Sequence, residues 1–153
     1  EMQPDLAGFP YVIGRQLKPK ARKDLIAFLE SENLKPSAMI DISDGLASEV
    51  HHVCKQSGTG AVIFQSKIPI DYETAKVADD FQIPATTFAL YGGEDYELLF
   101  TISPSAFEKL QKAGFPIATI GYITDPAYGI KLQLGDESMV ELTATGFNHF
   151  TSK

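Results

Sequence analysis

The spacing of apolar residues along the chain predicts most of its elements. Ala21, Leu25, Phe28 and Leu29 form a helical stripe over residues 19–33, with Pro19 suited to the first turn. Residues 38–42 read as a strand, and residues 45–57, with Leu46, Val50, Val53 and Cys54 at helical spacing, as a helix ending at Gly58. Residues 61–64 have the uniform apolar character of a buried strand, and Asp71 is placed to cap a helix running to about Phe81. Beyond Gly92-Gly93, residues 96–102 alternate as a strand: Tyr96, Leu98 and Phe100 share one face, Glu97 and Leu99 the other. Ser103-Pro104 has the form of an N-cap followed by proline at the first helical position, opening a helix to Ala113. Residues 117–123, 130–134 and 139–142 read as strands, the last two joined as a hairpin around Gly135-Asp136. Residues 1–18, with Pro4, Gly8, Pro10 and Gly14, read as an irregular lead-in or linker ahead of a domain over 19–153. This alternation predicts an α/β (α+β) class, a mixed sheet covered by helices.

Composition narrows the possibilities. At 153 residues with 44% hydrophobic content, the chain has the size and apolar character of one domain with its own core. It shows no run of 18 apolar residues and no charged-then-apolar leader, so the expectation is no membrane span and no signal peptide. Cys54 is the single cysteine, which rules out an internal disulfide framework and fits a cytoplasmic location. The net charge of −7 argues against nucleic acid or an anionic membrane as partner, since both reward a basic face. An acidic protein that handles phosphates needs bound cations.

Two acidic runs carry the candidate chemistry. Asp41-Ile42-Ser43-Asp44-Gly45-Leu46 sits where a strand turns into a helix. Two carboxylates and a hydroxyl there can ligate magnesium, a hard cation that favours oxygen donors shared with substrate phosphates. The plainer reading is a helix cap by Asp44 or Ser43, although one cap needs only one side chain. Gly92-Gly93-Glu94-Asp95-Tyr96-Glu97-Leu98 puts three acids after a double glycine, where they repel one another unless cations or donors intervene. Adjacent His51 and His52 cannot chelate one ion together, and His51 with Cys54 gives only two ligands. The helix over 19–33 begins with Lys20, Arg22 and Lys23 and ends near Glu30 and Glu32, opposing its own dipole. Either a solvated helix tolerates that bias, or its basic end faces a partner domain or an anionic ligand.

The runs Met39–Leu46, Ile68-Pro69-Ile70, Gly92–Leu98 and Gly146-Phe147-Asn148-His149-Phe150 closely resemble the C-terminal half of the thiamine-monophosphate kinases, within the aminoimidazole ribonucleotide synthetase-like superfamily. The likeness runs from about Pro19 to Phe150. It implies a sandwich like the C-terminal domain of that synthetase, with some ferredoxin-like character. It also implies ATP-dependent phosphorylation of thiamine monophosphate to thiamine diphosphate, with Mg2+ as cofactor. By the same match Asp41 and Asp44 would be magnesium ligands, Ser43 would contact ATP, and Glu94 and Phe147 would lie near the thiamine moiety. No side chain is implied as general base or nucleophile, since an acceptor phosphate is already ionised near neutral pH. The resemblance further implies a homodimeric enzyme whose N-terminal half lies outside this chain, so that this part alone is inactive. The rival expectations are another phosphoryl-transfer enzyme or synthetase of the superfamily, or a non-catalytic metal- or ligand-binding module.

Overall fold

The computed structural model describes residues 8–144. The chain order is α1 (Pro10–Leu17), α2 (Lys23–Ser31), β1 (Ala38–Asp41), α3 (Leu46–Ser57), β2 (Gly60–Phe64), α4 (Tyr72–Asp80), α5 (Ala85–Tyr91), β3 (Leu98–Thr101), α6 (Pro104–Lys112), β4 (Gly121–Thr124), β5 (Ile130–Gln133) and β6 (Met139–Glu141). The strands form two sheets. β1 and β3 make an antiparallel ribbon, and β4-β2-β5-β6 make a four-stranded mixed sheet in which β2 and β5 run parallel. The predicted class is therefore present, as is the β5–β6 hairpin.

Two apolar clusters meet at the ribbon. α3 lays Leu46, Ala47, Val50 and Cys54 against Ala61, Ile63 and Leu132 of the mixed sheet, with Leu90 of α5 beside them. On the other side α2 and α6 bring Leu25, Leu29 and Leu110 against Met39, Leu98 and Phe100. Leu25 and Leu110 are 1% and 0% exposed, and full burial of a leucine stabilises by roughly 1.5–3 kcal/mol. Leu99 faces the α3 cluster while Leu98 and Phe100 face α2 and α6, so the alternation read from the sequence holds through β3. With apolar cover on both faces, the ribbon is fixed in place. The loops at its Asp41 end inherit that rigidity.

The end signals act as their chemistry predicts. Asp71 accepts from the Glu73 N–H, Ser103 accepts from the Ala106 N–H ahead of Pro104, and Gly58 closes α3 in the left-handed conformation at φ 64°. Several segments differ from expectation: residues 117–120 lie outside any strand, so β4 is Gly121–Thr124 rather than 117–123, and β3 starts at Leu98. Residues 10–17 form a helix rather than an irregular lead-in; Gly14 in an eight-residue helix weakens it, so tertiary contacts must hold it. One such contact is the Tyr11 N–H donating to Glu73 Oε2 at 3.0 Å. α2 starts at Lys23 rather than Pro19, with Arg22 at the N-cap position. Ala85–Tyr91 forms a seven-residue helix too short, and with Thr86-Thr87 too β-branched, to show a helical period. Among the described residues no helix is long and apolar enough to cross a membrane.

Candidate functional site

The first acidic run turns sharply at Gly45, where φ is 101°. A Cβ there would lie 2.8 Å from the Leu90 carbonyl oxygen and 3.0 Å from Tyr91 Cα, so the end of α5 requires glycine at this position. Gly45 is the N-cap residue of α3 and no side chain caps it, so neither Ser43 nor Asp44 plays the capping role. The cap-like acceptor is instead Glu49, 2% exposed, four residues into the helix. Its Oε1 accepts the Asp44 N–H at 3.1 Å and the Ser43 hydroxyl at 3.3 Å. This reaches back across the helix start as a capping-box glutamate does, one position further along. The Asp41 and Asp44 side chains are left exposed at the strand end and the turn. Among the described residues neither forms an ion pair.

The second run is zipped onto the first. The Ile42 N–H donates to Glu97 O at 2.9 Å, the Tyr96 N–H to Ile42 O at 2.8 Å and the Glu94 N–H to Ser43 O at 2.7 Å, continuing the Asp41–Leu98 pairing into the loops. A Cβ on Gly93 would stand 2.8 Å from Ser43 O, which is the physical use of the second glycine. The regular strand begins only at Leu98, not Tyr96, because Glu94 and Tyr96 are left-handed at φ 64° and 57°. A non-glycine residue held in such a conformation costs roughly 1–3 kcal/mol.

The run's negative charge is met from within the chain. Arg15 Nη2 of α1 donates to Asp95 Oδ1 at 2.9 Å and to the Asp95 carbonyl at 3.1 Å, and lies 3.0 Å from Glu97 Oε1. Arg22 Nη1 donates to Glu97 Oε2 at 3.1 Å, and Gln16 donates to Glu94 Oε2. Burial lowers the Arg15 pKa, but the hydrogen bond and charge of Asp95, with the charge of Glu97, outweigh it and raise the value. Burial acts likewise on Arg22, and the hydrogen bonds of Asp24 and Glu97 raise it. The Arg22 guanidinium in turn holds the Asp24 carboxyl below its usual range, helped by the Leu25 N–H. The basic start of α2 thus faces an acid of its own chain.

The ladder thus sets the backbone of Asp41–Ser43 beside that of Glu94–Leu98, with Asp44 next in the turn; Phe147 lies outside the described residues. A groove of about 570 Å³ opens beside Asp41, between α2 and the ribbon, lined by Arg22, Ile26, Tyr96 and Leu98 among others. That volume is within the range of small-ligand clefts. As a donor set, two exposed carboxylates and a hydroxyl suit a hard cation, yet no group of three acid, His or Cys side chains converges among the described residues. Magnesium tolerates this, since it keeps waters and uses one or two carboxylates together with substrate phosphates. His51 has a structural role: its Nε2–H donates to the Leu142 carbonyl at 2.6 Å. Sequence reading missed Glu49, Gln16 and Arg15. The charge order of α2 was the signal that could have found Arg22.

Comparison with known proteins identifies the family. The chain is 39% identical over 146 residues to a thiamine-monophosphate kinase of Buchnera aphidicola subsp. Schizaphis graminum, covering 92% of this chain and 43% of that protein. It is 31% identical over 144 residues to the thiamine-monophosphate kinase of Bacillus subtilis, covering 92% of this chain and 42% of that protein. The chain thus spans less than half the length of these curated relatives. Among solved structures, AaThiL complexed with AMPPCP and TMP superposes with a TM-score of 0.75 at 28% identity, over 98% of this chain and 43% of that one. Residues 8–132 match the family described as AIR synthase related protein, C-terminal domain, and a match over that much of the sequence makes this chain a member of it.

Proposed function

We propose that this chain is the C-terminal half of an enzyme that transfers a phosphoryl group from ATP to thiamine monophosphate, giving thiamine diphosphate. One observation carries the reading: a chain 39% identical to a thiamine-monophosphate kinase over 146 residues joins its two acidic runs on one hydrogen-bonded ladder. In this reading Asp41 and Asp44 hold magnesium, Ser43 contacts the nucleotide, and Glu94 lies near the thiamine moiety with Phe147. Magnesium, when bound, offsets the repulsion between the two phosphate groups that must approach each other. The chain's own task is alignment. Glu49 fixes the backbone of the turn, the ribbon fixes Asp41, and the Gly92–Leu98 loop fixes Glu94 next to Ser43. An acceptor that is already a phosphate monoester needs no general base, which suits an edge of acids and hydroxyls. The full-length protein is read as a cytoplasmic homodimer whose other half completes the metal site.

The test is an assay of the full-length protein and of this 153-residue chain with ATP, thiamine monophosphate and Mg2+. Thiamine diphosphate is expected from the former and not from the latter. No product from the full-length protein overturns the assignment, and turnover by the shorter chain overturns the division of the metal site.

A further inference from the structure

The Gly92–Leu98 loop adopts a shape that its own sequence does not favour. Glu94 and Tyr96 are both left-handed without being glycine, and the residue between them, Asp95, is exposed. Three backbone hydrogen bonds to the first acidic run hold the loop from one side, donated by the Glu94, Tyr96 and Ile42 N–H groups. From the other side, among the described residues, side chains of α1 and of Arg22 just ahead of α2 reach it, while Gly92 at its start is tied to the Phe88 carbonyl. Arg15 takes the Asp95 carbonyl, the Asp95 carboxylate and Glu97 Oε1 with one nitrogen, while Arg22 takes Glu97 Oε2. Glu97 is thus gripped on both oxygens by two guanidiniums from segments 75 or more residues away in sequence.

We propose that Arg15 and Arg22 are positioning residues of the candidate site: by clamping Asp95 and Glu97 they hold the left-handed Glu94–Tyr96 turn against the Asp41–Asp44 turn. The proposal deepens the functional reading above and rests on it only for what the loop is held ready to bind. It also makes α1 part of the site. Isolated surface ion pairs contribute little, but here one guanidinium ties a backbone carbonyl and two carboxylates together, so its loss frees a segment rather than a pair. The Arg side chains are 30% and 17% exposed, so water screens them only in part.

Amide hydrogen exchange on the 153-residue chain tests this without requiring any enzymatic activity, so its outcome is separate from that of the kinase assay. Arg15→Gln is expected to speed exchange of the Glu94 and Tyr96 amides by about tenfold, leaving the Val62 amide in the core of β2 unchanged. Glu97→Gln, which keeps the shape of the side chain and removes its charge, is expected to act in the same direction. Unchanged exchange at Glu94 and Tyr96 in both variants overturns the proposal. So does an equal rise at Val62, which would make the arginines general stabilisers of the fold.

Discussion

The two acidic runs look alike in sequence, each a cluster of carboxylates beside a glycine, but the fold treats them in opposite ways. In Gly92–Leu98 the acids are committed. Asp95 and Glu97 are bound by Arg15 and Arg22, and Glu94 accepts from Gln16. In the Asp41–Asp44 turn the two exposed carboxylates form no ion pair among the described residues, and the only acid used structurally there is buried Glu49. A cluster of acids therefore does not by itself mark a cation site. What separates the two runs is whether guanidiniums of the same chain already pair with their acids, as they do with Asp95 and Glu97. In the proposed reading the unpaired carboxylates of the first run are the ones left for a cation, while the paired Asp95 and Glu97 hold the shape of the second.

The strongest way to break this comparison is to remove one charge from each run. In the full-length protein Asp44→Asn is expected to lower turnover by about 100-fold, equivalent to about 2.7 kcal/mol of barrier. The melting temperature should barely move, because the Asp44 side chain caps nothing. Turnover near that of the parent at limiting Mg2+ would show that the exposed carboxylates are not ligands. Gly45→Ala should cost roughly 2–4 kcal/mol in urea unfolding, since its φ of 101° is foreign to alanine and the new Cβ meets the Leu90 carbonyl. A loss below that range would mean that α5 can move away from the turn. Glu49→Ala should cost about 1–3 kcal/mol by leaving the Asp44 N–H without its acceptor, whereas Glu49→Gln keeps an oxygen there and should cost less. Equal losses would point to packing rather than the hydrogen bond. The smallest effect is expected from Asp95→Asn, a change of at most about 1 kcal/mol in stability for a half-exposed ion pair and less than tenfold in turnover. If it silenced the enzyme as Asp44→Asn is expected to, the contrast between the runs would collapse.

Much of this was legible in the residues because the signals are local. The Asp71 and Ser103-Pro104 caps, the Gly58 stop and the alternation through β3 each depend on neighbours within a few positions, and each stands in the structure as read. α1 and α5 were not legible. Gly14 and Thr86-Thr87 give poor helical propensity, and both helices are short, so tertiary contacts sustain them. For the same reason Tyr96 reads as strand. The alternation holds for Leu98 and Phe100, but Tyr96, which bonds Ile42 and stands between Asp95 and Glu97, lies outside the strand in a left-handed conformation.

The sequence by itself determined the class of fold, the ends of most elements and the five carboxylates that could carry chemistry, since period, capping and residue type act over one or two turns of chain. Only the tertiary structure decided which of those carboxylates remain available. Arg15 and Arg22 lie 80 and 75 residues from the acids they bind, and a charge is neutralised by what stands within about 4 Å of it in space, a distance no spacing along the chain records.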